Sequence, residues 1–144
     1  NCRFGDPETQ PILLRLQSDL VSHCLAALTG DLDGQVAQWD ARPAVGVVLA
    51  AGGYPGTYQG GDVISGLPSA LSTEQSSKVF HAGTSEQDGR IVTSGGRVLC
   101  ATAMGSSVAD AQQKAYELAS EIQWDNIYFR DDIAWRAIQR EQTD

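Results

Sequence analysis

The alternation of apolar and polar positions changes character twice along the chain. In the first stretch Ile12, Leu13, Leu16, Leu20, Cys24 and Leu28 recur every three or four residues, the spacing that aligns one face of an α-helix. The stripe stops at Thr29-Gly30, where glycine readily takes the left-handed conformation that ends helices. Asp6-Pro7-Glu8 marks its start: the Asp6 carboxylate can accept orphan backbone N–H groups, Pro7 sits where no N–H is needed, and Glu8 complements the positive helix end. The pattern predicts one long amphipathic helix of roughly six turns. Residues 31–43, with Asp31, Asp33, Gly34, Asp40 and Pro43, read as a turn or short helix followed by a connector, and they place a domain boundary near Pro43.

Beyond that boundary the period changes. Ala44 to Ala51 is a near-continuous, valine-rich apolar run closed by Gly52-Gly53, too short for a typical helix and suited to a buried strand. Lys78–Ala82, Arg90–Thr93 and Arg97–Ala103 are further strands, each bounded by Gly, Ser or Asp. Helical spacing returns after Ser107-Val108-Ala109-Asp110, a capping-box variant, with Val108, Ala111, Ala115, Leu118, Ala119 and Ile122 on one face and Trp124 plugging its base. Residues 131–138 read as a short terminal helix with Ile133, Ala137 and Ile138 on one side. Residues 69–77 and the last few are polar and expected to be mobile. The expected fold is α+β: a helical arm over residues 1–43, then a small mixed or antiparallel, barrel-like sheet flanked by helices over residues 44–144, without internal repeats.

Composition narrows the function. At 144 residues and 42% apolar content the chain can build a core without disulfide support. A net charge of −8 with ten Lys and Arg argues against an electrostatic grip on nucleic acid. Cys2, Cys24 and Cys100 have no C-x-x-C or Cys/His zinc spacing, so reduced thiols in a cytoplasmic protein are expected. There is no 18-residue apolar run and no basic-then-apolar leader, so neither a membrane span nor a signal peptide is expected. Asn1 is not a start methionine, and the expectation is a fragment or a processed chain.

Asn1-Cys2-Arg3-Phe4-Gly5-Asp6-Pro7-Glu8-Thr9-Gln10 combines an amide oxygen, a guanidinium, a glycine and two carboxylates at a helix start. An Asn oxygen suits hard Mg²⁺, and an Arg forks onto phosphate oxygens. On residue types alone a capped helix with a surface Arg–Asp pair fits as well. The Ala51–Gly56 loop follows a buried strand and lets backbone N–H groups approach a phosphate or ribose, or is simply a tight turn needing positive φ. It lacks the Gly-Lys-Ser/Thr tail of a P-loop. Gly95-Gly96-Arg97 can bring Arg97 toward a phosphate, or Arg97 is a solvated rim charge. His81 fits an edge histidine, and His23 has no i+4 partner for a metal. Trp124, Tyr128, Phe129 and Trp135 read as core and packing groups.

Arg3-Phe4-Gly5-Asp6-Pro7-Glu8-Thr9-Gln10 resembles the signature of the phosphoribosylamine–glycine ligase (glycinamide ribonucleotide synthetase) family of ATP-grasp enzymes. The resemblance continues through Gly52-Gly53-Tyr54-Pro55-Gly56, Lys78–Thr84, Gly95–Leu99 and Asp132–Ile138, in family order. It implies a purine-synthesis reaction in which ATP phosphorylates glycine to an acyl phosphate and the amine of 5-phosphoribosylamine attacks it, giving glycinamide ribonucleotide, ADP and phosphate. It implies Mg²⁺ or Mn²⁺ held by a Glu and an Asn two residues apart, of which Asn1 matches the Asn and the Glu would precede this chain. It further implies that Arg3 stabilises the transferred phosphoryl group, that Asp6 and Glu8 orient glycine or the amine, and that Gly52, Gly53, Tyr54, Pro55 and Arg97 face substrate. Residues 1–43 would then close an ATP-grasp domain and residues 44–144 form the C-terminal domain. No nucleotide-binding loop is present, so the chain alone is expected to be inactive without the N-terminal part of the ligase. The alternative is a non-catalytic module binding a phosphosugar or a protein; an acyl- or biotin-carrier domain is disfavoured by the lack of an Ala-Met-Lys-Met-like turn presenting a lysine.

Overall fold

The computed structural model describes residues 3–69 and 76–143; Asn1 and most of the polar 69–77 stretch lie outside them. At the centre is β5 (Arg97–Met104), paired antiparallel with β1 (Ala44–Ala50) on one side and β2 (Ser77–His81) on the other. Successive strand residues point to opposite faces, and the two faces are covered by different helices. Val45, Val47 and Leu49 of β1 and Leu99, Ala101 and Ala103 of β5 join α3 (Val108–Ser120) in the main core. The intervening Gly46 faces α1 (Thr9–Arg15), where an added Cβ would stand 3.5 Å from Pro11 Cδ. Cover on both sides, with alternate positions of β1 buried and half-buried, explains why β1 reads as a near-continuous apolar run rather than a strict apolar–polar alternation.

Ser107 caps α3 by accepting the Asp110 N–H at 3.1 Å, as the sequence predicts. Ala111, Ala115, Ala119 and Ile122 are fully buried, and the small alanines let the helix lie close on the sheet. Trp124 closes the base of this core. Burial of Leu49, Leu99 and Ile122 stabilises the fold by about 1.5–3 kcal/mol each.

Four expectations are corrected. The sheet is not barrel-like: the described residues form a three-stranded and a two-stranded antiparallel sheet, neither closed. The second is a hairpin of β3 (Thr84–Gln87) and β4 (Arg90–Thr93) around Asp88-Gly89. Both turn residues have positive φ, at 50° and 71°, the geometry that Asp-Gly favours in tight hairpins.

The single long N-terminal helix is two, α1 and α2 (Leu20–Thr29). Between them the chain pairs with the connector instead: Leu16 bridges Trp39, Gln17 N–H donates to Gln38 O at 2.9 Å, and Asp40 N–H donates to Arg15 O at 2.7 Å. Asp19 starts α2 afresh by accepting the Val21 N–H, and Gly30 ends it at φ 75°. Asp6 does not cap α1, whose cap position is Glu8. Last, the terminal helix α4 spans Trp135–Glu141, later than predicted. Residues 131–134 are held off the helix by tertiary bonds, with Ile133 N–H donating to Tyr116 Oη at 3.1 Å and Gln112 Nε2 to Ile133 O at 2.6 Å.

Candidate active site

The signature run enters the fold as a tight turn onto α1. Thr9 donates to Gly5 O through both its N–H, at 2.9 Å, and its hydroxyl. A Cβ on Gly5 would collide with the Glu8 carboxylate and stand 3.3 Å from Arg3 Nη1. Both are flexible ends that could swing away from a larger residue; with glycine at position 5 the Arg3 and Glu8 side chains share the space over the turn, and both remain exposed. Asp6 leaves this turn toward the sheet, where its Oδ2 accepts from Arg97 Nε at 2.9 Å; its Oδ1 accepts from Gln10 Nε2 at 3.4 Å.

Arg97 opens β5, and its second donor goes to the glycine-rich loop: Nη1 donates to Tyr54 Oη at 3.0 Å. The guanidinium also lies 6.0 Å from the Tyr54 ring centre. Its pKa is raised above the ordinary arginine value, first by the hydrogen bond to Asp6 and next by that carboxylate's charge. The loop is fixed by its backbone, with Ala51 N–H donating to Gly96 O at 2.9 Å, Tyr54 N–H to Ala51 O at 3.1 Å and Gly56 N–H to Gly53 O at 2.8 Å. Gly53 has φ 94°, and a Cβ on Gly52 would stand 2.6 Å from Asn126 Cβ. These glycines thus serve the turn and its packing on the 125–128 segment.

Between that loop and that segment opens a cleft of about 810 Å³, lined by Gly52, Tyr54, Tyr58, Asp62, Asp125 and Tyr128 among others. Its charged lining is two carboxylates without a Lys or Arg. A phosphate is disfavoured inside it, whereas hydroxyls and amines find acceptors.

The residues predicted from sequence are therefore distributed unevenly. Asp6, Tyr54 and Arg97 form one bonded group; Gly52 and Gly53 share the Tyr54 cleft; Arg3 and Glu8 sit at the head of α1; Pro55 is exposed in the loop. Asn1 lies outside the described residues. Tyr58, Asp62, Asp125 and Asn126 escaped sequence reasoning, and Tyr128, read as a packing group, is 56% exposed. None carries a local signal; only tertiary proximity reveals them. Trp135 is likewise exposed, with Arg136 over its ring at 5.1 Å. His81 is exposed and contacts Thr84 Oγ1 at 3.0 Å, and His23 contacts Ser18 Oγ at 2.8 Å. Cys100 is buried, which pushes its thiol pKa up.

Among the described residues no group of three or more His, Cys, Asp or Glu is placed to hold a metal. Of the two carboxylates in the signature turn, Asp6 already has an arginine partner. The described residues do not by themselves fit a Mg²⁺ or Mn²⁺ cage. No helix of the described residues is long and apolar enough to cross a membrane.

The family model "Phosphoribosylglycinamide synthetase, C domain" matches residues 44–136. The chain belongs to the phosphoribosylglycinamide synthetase family. Similarity to this family's ligases extends across the whole chain: it is 63% identical over 142 residues to a phosphoribosylamine–glycine ligase of Vibrio parahaemolyticus and 61% over 143 residues to one of Escherichia coli O157:H7. In both cases 99% of this chain is covered but 33% of the relative. The chain thus spans about one third of the length of these synthetases and corresponds to their C-terminal third. The crystal structure of a Thermotoga maritima phosphoribosylamine–glycine ligase superposes with a TM-score of 0.75 at 38% identity, covering 92% of this chain and 32% of that one.

Proposed function

We propose that this chain forms one edge of the active site of an ATP-dependent ligase that joins glycine to 5-phosphoribosylamine in purine synthesis. ATP would transfer its γ-phosphoryl group to the glycine carboxylate, releasing ADP; the amine of phosphoribosylamine would then attack the glycyl carbonyl and expel phosphate. A planar cation at Arg3 suits the charge that develops on the transferred group. Asp6 and Glu8, on the same turn, are the acceptors for an ammonium or amine. The observation that carries this reading is the bonded group of Asp6, Arg97 and Tyr54, which ties the signature turn to the wall of the cleft.

The two-carboxylate lining of the cleft favours the ribose hydroxyls and the amine over the phosphate. Asn1, from the edge of the signature, is the proposed ligand of a Mg²⁺ or Mn²⁺ ion, which would neutralise phosphate charge; its other ligands would come from the preceding part of the ligase. Residues 1–43 are proposed to complete an ATP-grasp domain, residues 44–144 to form the C-terminal domain, and the enzyme to work in the cytoplasm. In the complete ligase Arg3→Ala should lower turnover by about 10²-fold or more, as loss of one preorganised charge donor does, with little effect on folding. Steady-state kinetics check this, and normal turnover would remove Arg3 from the mechanism.

A further inference from the structure

Arg97 stands 91 residues from Asp6 and 43 from Tyr54, yet it bonds both through different nitrogens of one rigid plane. We propose that Arg97 is a positioning residue of the ligation site, whose forked guanidinium holds the Asp6 carboxylate in register with the Tyr54 wall of the cleft. This rests on the ligase reading above and deepens it.

The platform beneath the fork is rigid. Arg97 begins β5, whose next seven residues are all buried. Its neighbour Gly96 is buried, and a Cβ there would collide with the Tyr54 ring and stand 3.0 Å from Tyr58 Cε1. Only glycine lets the Tyr54 ring lie directly on the chain at that point, which sets its hydroxyl within reach of Arg97. The backbone of the two loops is joined at the same place by the Ala51 to Gly96 hydrogen bond.

The Asp6–Arg97 pair is about two-fifths exposed on each side, so it contributes little to folding. Its consequence is geometric. A lysine offers a point charge on a flexible stem and cannot reproduce the two-directional fork. Two of the five Arg97 donors hold Asp6 and Tyr54; the split between kcat and KM separates this role from that of a direct phosphate ligand.

The test uses the complete ligase, made of this chain with the preceding two thirds found in its relatives. Arg97→Ala is expected to lower kcat on the order of 10-fold or more, the scale of a misplaced catalytic group, while leaving the unfolding midpoint unchanged. KM for glycine and for phosphoribosylamine should stay within about 2-fold, since no substrate contact is removed. Tyr54→Phe should give a smaller loss of the same kind, and Arg97→Lys should recover only part. In an Asp6→Asn background Arg97→Ala should add almost nothing, because the two act as one unit.

A raised KM for phosphoribosylamine with kcat intact would make Arg97 a substrate ligand and overturn the proposal. Additive losses with Asp6→Asn, or wild-type kinetics, would overturn it equally. Arg3→Ala measured alongside separates the two levels. If Arg3→Ala is crippled and Arg97→Ala is not, only the positioning role fails; if Arg3→Ala is normal, the ligase-site reading fails first.

Discussion

At the scale of single residues, close packing around glycines sets the tightest constraints. Gly66 has φ 74°, and a Cβ there would collide with the Glu121 carbonyl oxygen. It follows Ser65, which bridges Gln123 through two backbone hydrogen bonds of 2.9 and 3.1 Å. Gly66→Ala should therefore cost about 2 kcal/mol or more, combining a strained φ with overpacking against backbone that has no room to move. Urea unfolding of the chain checks this; an unchanged midpoint would show that the 65–66 and 121–123 segments separate freely. The chemistry-bearing residues were legible as types but not as a group. Asp6, Tyr54 and Arg97 could each be named from their motifs, yet their contact spans up to 91 residues and leaves no trace in local spacing. Local logic assigned Asp6 to a helix cap, and the competing ion pair with Arg97 took it elsewhere.

At the scale of elements, agreement follows from where the burial comes from. β1, β5 and α3 were legible because their apolar patterns answer to one dominant interaction, the packing of α3 on the sheet. β3 was missed because Thr84-Ser85-Glu86-Gln87 is polar and only half covered; the Asp88-Gly89 turn was the signal available for it. The break between α1 and α2 is invisible to periodicity, because Leu16 keeps the stripe while its backbone pairs with residues 38–40. The start of α3 carries a testable electrostatic device. Asp110 accepts from the Ser106 N–H at 2.7 Å, from Lys114 Nζ at 2.9 Å and from Ser106 Oγ at 3.0 Å, and its pKa is lowered from 3.8 to about 2. A depressed folded-state pKa means that this stabilisation is present above the ordinary value and is lost as pH falls through about 2. The Asp110 carboxyl should thus titrate near 2 in NMR spectra of the folded chain. The stability deficit of Asp110→Asn should shrink between pH about 4 and about 2. Titration at the ordinary value would show that the Ser106 and Lys114 bonds do not hold the charge.

At the scale of the whole molecule, α2 stands apart. It buries no residue, and Val21, Leu25 and Leu28, spaced to share one helix face, are exposed at 64%, 58% and 84%. On the ligase reading, this face is expected to pack against the preceding two thirds of the enzyme. Changing Leu25 and Leu28 together to Lys should leave the melting temperature of the chain within a few degrees, since neither is buried. The same change should weaken assembly with a separately expressed N-terminal part by on the order of 10-fold or more, given the apolar area at stake. Titration calorimetry reads that difference, and equal affinities would place the joining surface elsewhere. The most direct measurement is reconstitution: the chain is assayed for glycinamide ribonucleotide formation from ATP, glycine and 5-phosphoribosylamine, alone and with the N-terminal two thirds of a close relative. No product from the chain alone, product on mixing, and loss of that product with Arg3→Ala are the expected results. Product from the chain alone, or undiminished product with Arg3→Ala in the mixture, would contradict the assignment of this chain as one edge of a shared active site.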